Sequence, residues 1–368
     1  MKVPYVDIAE QFFEIEDQVM LAIQKVLSSG KYIMSEQVSL FEKNFREFCQ
    51  CKYSFGVANG TDALIIAMKA LGVQEGDEVI TPANSWVSST SSIAICGATP
   101  VFADIGSDLQ ISVQEIEKKI TSKTKVIMPV HLAGKMANMK AIMALAEKHQ
   151  LFVIEDAAQA VGASYEGQAA GTIGDIGCFS LHPLKNLNAA GDAGVITTNN
   201  KDLAQKIALL RQHGLASRND IQLWGYNSRL DEIQAAILNC KFVGLPEVLD
   251  KRHANAELYR SLLCSDVVLP DKSIVGHDAN HLFVIQCKYR DELKEYLKTY
   301  DISSAIHYEV PIHLQPAAHY LGYEPGDLPE TELSALRILS LPIHQHLTNV
   351  QISFVAEKVN EFFKMKGR

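Results

Sequence analysis

Two residues of this 368-residue chain stand where imine chemistry needs them. Lys185 ends the run Phe179-Ser180-Leu181-His182-Pro183-Leu184-Lys185 and falls in a short loop between two strand-like stretches. A lysine desolvated in such a loop loses proton affinity and becomes an amine that condenses with an aldehyde. Asp156 closes the apolar run Phe152-Val153-Ile154-Glu155. A carboxylate at the C-terminal end of a buried strand sits where open α/β sheets build ligand sites. There it can pair with a protonated pyridine nitrogen and strengthen the ring as an electron sink. Taken singly, each has a plainer reading: Asp156 as a helix cap, Lys185 as a solvated loop lysine.

Four further segments add polar groups of the right kind. Ser180, five residues before the lysine, offers a hydroxyl to an anion, and Gly191 and Gly194 permit close backbone approach. Asn59-Gly60-Thr61-Asp62 opens a helical pattern with free amides and a hydroxyl, a site suited to phosphate; it is also an ordinary turn and cap. Trp86, one of two tryptophans, follows a strand in a polar loop. It reads either as a platform for a flat heteroaromatic ring or as a half-buried core residue. Gly225-Tyr226-Asn227-Ser228 leads into a helix that Ser228 is placed to cap.

These segments need a scaffold, and the hydrophobic pattern supplies one. Apolar spacing predicts helices over residues 8–28 and 36–50. Strands and helices then alternate: strands over 53–58, 78–81, 100–103, 124–130 and 151–155, with helices over 63–70, 89–96, 113–120 and 139–149. Short buried strands each followed by a helix predict a mostly parallel sheet covered on both faces. Helical patterns over 202–217 and 228–245 follow. Beyond them the alternation stops, with helices over 254–263, 290–300 and 348–364. We therefore divide the chain into a large domain, 1–245, and a smaller C-terminal one, 246–368.

Bulk properties exclude several classes of function. The formal charge of −9 is spread along the chain with no basic block, which argues against nucleic acid and anionic membrane as partners. The apolar runs are too short to span a bilayer. The N-terminus soon reaches Asp7, Glu10, Glu14 and Glu16, unlike a signal peptide. Seven scattered cysteines with no CxxC pair predict neither disulfides nor a zinc site, and point to the cytoplasm. No GxGxxG follows an early strand, so dinucleotide binding is not expected.

In this order and at these separations, the segments resemble the DegT/StrS sugar aminotransferases of the fold type I, aspartate aminotransferase-like enzymes. The likeness runs from Ser29-Gly30-Lys31-Tyr32 to Leu341-Pro342-Ile343-His344-Gln345-His346-Leu347. It implies a seven-stranded sheet with helices on both faces, a smaller α+β domain, and pyridoxal 5′-phosphate (PLP) as cofactor. By the same likeness Lys185 is the Schiff-base lysine, and Asp156 the partner of the pyridine nitrogen. Gln159 lies by the ring's phenolic oxygen. Gly60, Thr61 and Ser180 hold the phosphate, and Trp86 stacks on the ring. Asn227 reaches the neighbouring subunit's phosphate in a homodimer with shared sites. His307-Tyr308-Glu309-Val310-Pro311-Ile312-His313 resembles the family's segment near the substrate, so His307 and His313 are substrate candidates.

The resemblance implies transfer of an amino group from glutamate to a keto-sugar, in amino-sugar synthesis for cell-surface polysaccharide or lipopolysaccharide. A nucleotide-linked sugar is expected; a non-nucleotide acidic keto-sugar and PLP-dependent dehydration on the same fold are the alternatives. A dehydrating branch has histidine in place of the lysine, and Lys185 argues against it. The segment from Asn186 to Asp192 looks most like members that aminate the 3-position. Ser85-Trp86-Val87-Ser88-Ser89 departs from the family, where Phe or Tyr is commoner at position 86.

Overall fold

Branched residues alternate sides along the central strands, and that alternation builds the molecule. In the computed structural model, which describes residues 1–367, the strands are β1 (Tyr53–Val57), β2 (Glu78–Pro82), β3 (Thr99–Ala103), β4 (Thr124–Ile127) and β5 (Phe152–Asp156). A two-residue hairpin, β6 (Ser164–Tyr165) and β7 (Gln168–Ala169), precedes β8 (Ile176–Ser180) and β9 (Gly194–Thr198). Seven of these form one sheet in the order β1-β9-β8-β5-β4-β2-β3. Strand β9 is antiparallel to both neighbours, and every other pair is parallel. This is the seven-stranded, mostly parallel sheet that the resemblance implied.

Neighbouring residues on one strand enter opposite cores, as a period of two requires. Ile80, Ile127, Val153, Phe179 and Val195 face one core; Val79, Val126, Ile154, Cys178 and Ile196 face the other. Helices Glu36–Cys49 and Met139–His149 close the first face through Phe41, Phe45, Ile142 and Leu145. Helix Gly60–Ala70 closes the second with Leu64, Ile66 and Met68. Burying both faces explains why the strands are short and nearly all apolar.

The chain then forms a hairpin, β10 (Leu215–Ser217) and β11 (Asp220–Ile221), and the strands β12 (Val267–Val268), β13 (Gly276–His277), β14 (Phe283–Cys287) and β15 (Ile338–Leu341). An antiparallel sheet β12-β14-β15 packs against helices Leu245–Leu262, Arg290–Lys298 and Asn349–Lys366 around Tyr259, Leu293 and Val355. Helix Leu245–Leu262 runs from one core to the other: Leu245 packs with the large sheet, Ala256 and Tyr259 with the small one. The division expected at 245 falls on its first residue. The N-terminus, assigned above to the large domain, enters the C-terminal core through Val3, which bridges Ile302.

Several boundaries differ from the pattern reading. The helix expected over 8–28 is two, Ile8–Phe13 and Glu16–Ser29, because Ile15 leaves helical geometry at φ −129° and ψ 20°. The helix expected to reach 217 ends at Leu210, and 215–217 is a hairpin strand. Ser228 does not cap the following helix, whose N-cap is Asp231; its hydroxyl instead accepts the Ala58 N–H at 3.2 Å.

Candidate active site

The large sheet delivers functional groups along one edge, the C-terminal ends of β1, β2, β5 and β8 and the start of β9. After β1 the chain turns directly into helix Gly60–Ala70, capped by the Asn59 side chain, which accepts the Asp62 N–H at 2.8 Å. The first-turn amides of Gly60 and Thr61 have no intrahelical acceptor, so the helix presents them to an anion. Ser180 closes β8 beside them. A Cβ on Gly60 would meet the Ser180 Cβ at 2.8 Å, so only glycine brings helix and strand end this close. Thr61 Oγ1 shares a hydrogen bond of 2.8 Å with Ser88 Oγ, tying the first turn of the helix after β1 to the first turn of helix Val87–Ile95 after β2.

Asp156 is the last residue of β5 and is almost fully buried. Its Oδ2 accepts the Ser89 hydroxyl at 2.7 Å and its Oδ1 accepts the Ala158 N–H at 3.2 Å. No helix starts here among the described residues, so the cap reading falls away. Burial raises the carboxyl above the usual Asp range; the Ser89 and Ala158 hydrogen bonds and the Lys185 charge pull the other way. The preceding residue steadies the strand end. Glu155, fully buried, accepts the N–H groups of Gly171, Ile173 and Gly174 at 2.7–2.9 Å and pairs with His131 Nε2 at 2.9 Å.

Lys185 lies in the loop between β8 and β9. Desolvation lowers its ammonium to about 8, against a smaller upward pull from Asp156. Nearby Asn188 Nδ2 donates to the Lys185 carbonyl at 2.8 Å, and its Oδ1 accepts from half-buried Lys241. Gln159 Oε1 accepts the Ala133 N–H at 2.7 Å, and its Nε2 donates to the Tyr308 hydroxyl at 3.4 Å. The Trp86 ring lies 5.8 Å from that of Tyr308, tilted by 44°.

Gly60, Thr61, Trp86, Asp156, Gln159, Ser180, Lys185 and His307 all line a single cavity of about 410 Å³, a size typical of small-molecule sites. Two expected residues are elsewhere. Asn227 is exposed and outside the cavity. His313 is fully buried between Phe102 and Tyr323, with Nε2 on Glu332 at 3.1 Å; the structure does not bring it to the cavity. His307, six residues earlier, does face the cavity, with Nδ1 on Ser340 Oγ at 2.9 Å. The wall opposite the sheet edge also carries Tyr5, Arg252, His281, Tyr308 and His344. Apart from Tyr308 and His344, each within a motif, nothing in the sequence marked them.

The residues fit the cofactor expected from the sequence. A buried carboxylate held above its usual range, with no salt bridge among the described residues, suits a protonated pyridine nitrogen as its partner. The cradle at Gly60 and Ser180 has room for no side chain but offers free donors.

Comparison with known proteins decides the family. Residues 14–360 match the DegT/DnrJ/EryC1/StrS aminotransferase family. The chain belongs to that family. A Geobacillus stearothermophilus protein called a pleiotropic regulatory protein is 42% identical over 99% of both chains. A UDP-N-acetyl-3-dehydro-α-D-glucosamine 3-aminotransferase of Acidithiobacillus ferrooxidans is 40% identical over 96% of each. The crystal structure of Streptomyces venezuelae DesV, in complex with a ketimine intermediate, superposes with a TM-score of 0.96 at 37% identity, covering 98% of both chains. The fold is therefore that of the type I PLP aminotransferases. Among the described residues no helix is long and apolar enough to cross a membrane, and no cluster of acidic, histidine or cysteine side chains could hold a metal ion.

Proposed function

We propose that this aminotransferase carries PLP on Lys185 and moves the amino group of glutamate to the 3-keto group of a nucleotide-linked sugar, in amino-sugar synthesis for cell-surface polysaccharide. One observation carries the reading: an amine of lowered proton affinity and a buried carboxylate line one cavity, beside a glycine-opened helix N-terminus. The 3-aminotransferase name of the Acidithiobacillus relative supports the sugar position. Seven free thiols support a reducing compartment such as the cytoplasm.

When bound, PLP supplies an aldehyde carbon to receive nitrogen and a ring that stores the electron pair left as the donor's α-proton departs. The chain's residues do the rest. The Lys185 amine, with a pKa of about 8, would take that proton as base and give it back as acid. The Asp156 carboxylate keeps the ring nitrogen protonated. Gly60 and Thr61 amides with the Ser180 hydroxyl grip the phosphate. From the same cavity lining, Trp86 would cover one ring face, Gln159 would meet the phenolic oxygen and His307 the sugar. Asn227, exposed outside its own cavity, serves the phosphate of a second copy in a homodimer.

The regulatory name of the Geobacillus relative favours a competing reading, a scaffold kept for binding alone. One assay separates them. Glutamate should convert the cofactor's absorbance to that of its amine form and release 2-oxoglutarate; a 3-keto nucleotide sugar should restore it. Lys185→Ala should abolish both conversions. A variant that retained them would end this proposal.

A further inference from the structure

Buried charges need partners, and one in this cavity has no counter-ion. Arg252 is 3% exposed yet lines the cavity from the small-sheet side. One terminal nitrogen, Nη1, donates to the carbonyls of Asn280 and His281, each at 3.3 Å. Its Nε is buried without an acceptor. Among the described residues no carboxylate pairs with it; the acidic group acting on it is the Tyr5 phenol. Burial pushes that phenol above its ordinary range, so it stays neutral.

The rest of this wall adds no negative charge. Burial holds His281 well below the usual histidine range and His307 and His344 at about 4, so all three are neutral. The carboxylates lining the cavity are Asp156, already held by Ser89 and Ala158, and exposed Asp192. Arg252 stays charged, since burial brings it down only to about 10. An uncompensated buried cation is strongly destabilising. Its place at a cavity, with donors unspent, means that a ligand supplies the missing anion. A planar guanidinium matches a carboxylate in particular. The cofactor's phosphate has its own donors at the sheet edge, on Gly60, Thr61 and Ser180.

We propose that Arg252 is the carboxylate anchor of the amino donor, receiving a carboxylate of the amino acid while its nitrogen meets the cofactor at Lys185. This rests on the transamination proposed above. A carboxylate on the sugar would satisfy the same chemistry, so the two half-reactions are measured apart on the holoenzyme. Arg252→Gln should raise the glutamate concentration for half-maximal conversion about ten- to a hundredfold. Conversion of the pyridoxamine form by a neutral keto-sugar should change at least about tenfold less. Succinate, which binds without reacting, should lose affinity in parallel by calorimetry, a readout independent of turnover. Arg252→Lys keeps the charge without the fork and should recover part of both losses; it also serves if the glutamine variant does not fold. Equal losses in the two half-reactions, or unchanged glutamate and succinate dependence, overturn the anchor. A wild-type enzyme that binds succinate through Arg252 but converts with no amino donor sinks the transamination reading instead.

Discussion

The two walls of the cavity are built on different terms. At the sheet edge the carboxylates and the threonine hydroxyl are held before any ligand arrives: Asp156 by Ser89 and Ala158, Glu155 behind it by three amides and His131, Thr61 by Ser88. On the facing wall, Arg252 Nε, His344 Nδ1 and the Tyr5 hydroxyl are buried with no partner. The first wall is preorganised, as a cofactor that stays through both half-reactions requires. The second leaves hydrogen bonds unmade, as a surface that receives two substrates in turn would.

Disturbing the held wall should cost most. Asp156→Asn keeps the shape and the Ser89 contact but removes the charge. It should lower kcat about 10²–10³-fold with cofactor still bound, read by steady-state kinetics and the protein's visible spectrum. A variant within threefold of wild type would show that the carboxylate's charge is idle.

The histidine pair sharpens the contrast on the second wall. His307→Ala should raise KM for the sugar about tenfold while the melting temperature stays near wild type. His313→Ala takes one partner from Glu332, which keeps the Gly326 and Leu328 amides, and opens a gap beside Phe102, so it should lower stability by about 1–3 kcal/mol in denaturant titrations and leave KM alone. The reverse pattern would exchange their roles.

The smallest effect is a shift in pH dependence. Because burial lowers the Lys185 ammonium to about 8, PLP capture by cofactor-free protein should rise with pH through that value, not near 10, in stopped-flow absorbance. The folded value lies below that of a free lysine, about 10.4. Between the two the unfolded chain holds the extra proton, so this group's contribution to stability rises with pH across that window. A capture midpoint near 10 would place Lys185 in solvent.

The walls also differ in how far the sequence betrays them. Sheet-edge residues sit on short local patterns: a branched strand ending in Asp156, Gly60 and Thr61 opening a helix, Ser180 and Lys185 bracketing one loop. Strand ends and helix starts are legible because period and turn chemistry are local. The second wall is assembled from residues 5, 252, 281, 307, 308 and 344, which meet only through tertiary folding. Arg252 reads as one more charge on a helix face, and Tyr5 as part of a leading segment. His307 and His313 share one motif; only the turn at Ile312–Leu314 sends the second into the core. The helix break at Ile15 and the hairpin at 215–221 escaped because apolar spacing continued through them while the backbone did not.

The claim beneath all of this is that Lys185 is the residue joined to the cofactor. Reduction of the PLP-loaded enzyme with borohydride fixes that bond, and peptide mass spectrometry then locates it. The account predicts one pyridoxyl group per chain, on Lys185. A group on Lys241, the other lysine whose ammonium desolvation lowers to about 8, or no fixed group at all, would contradict it.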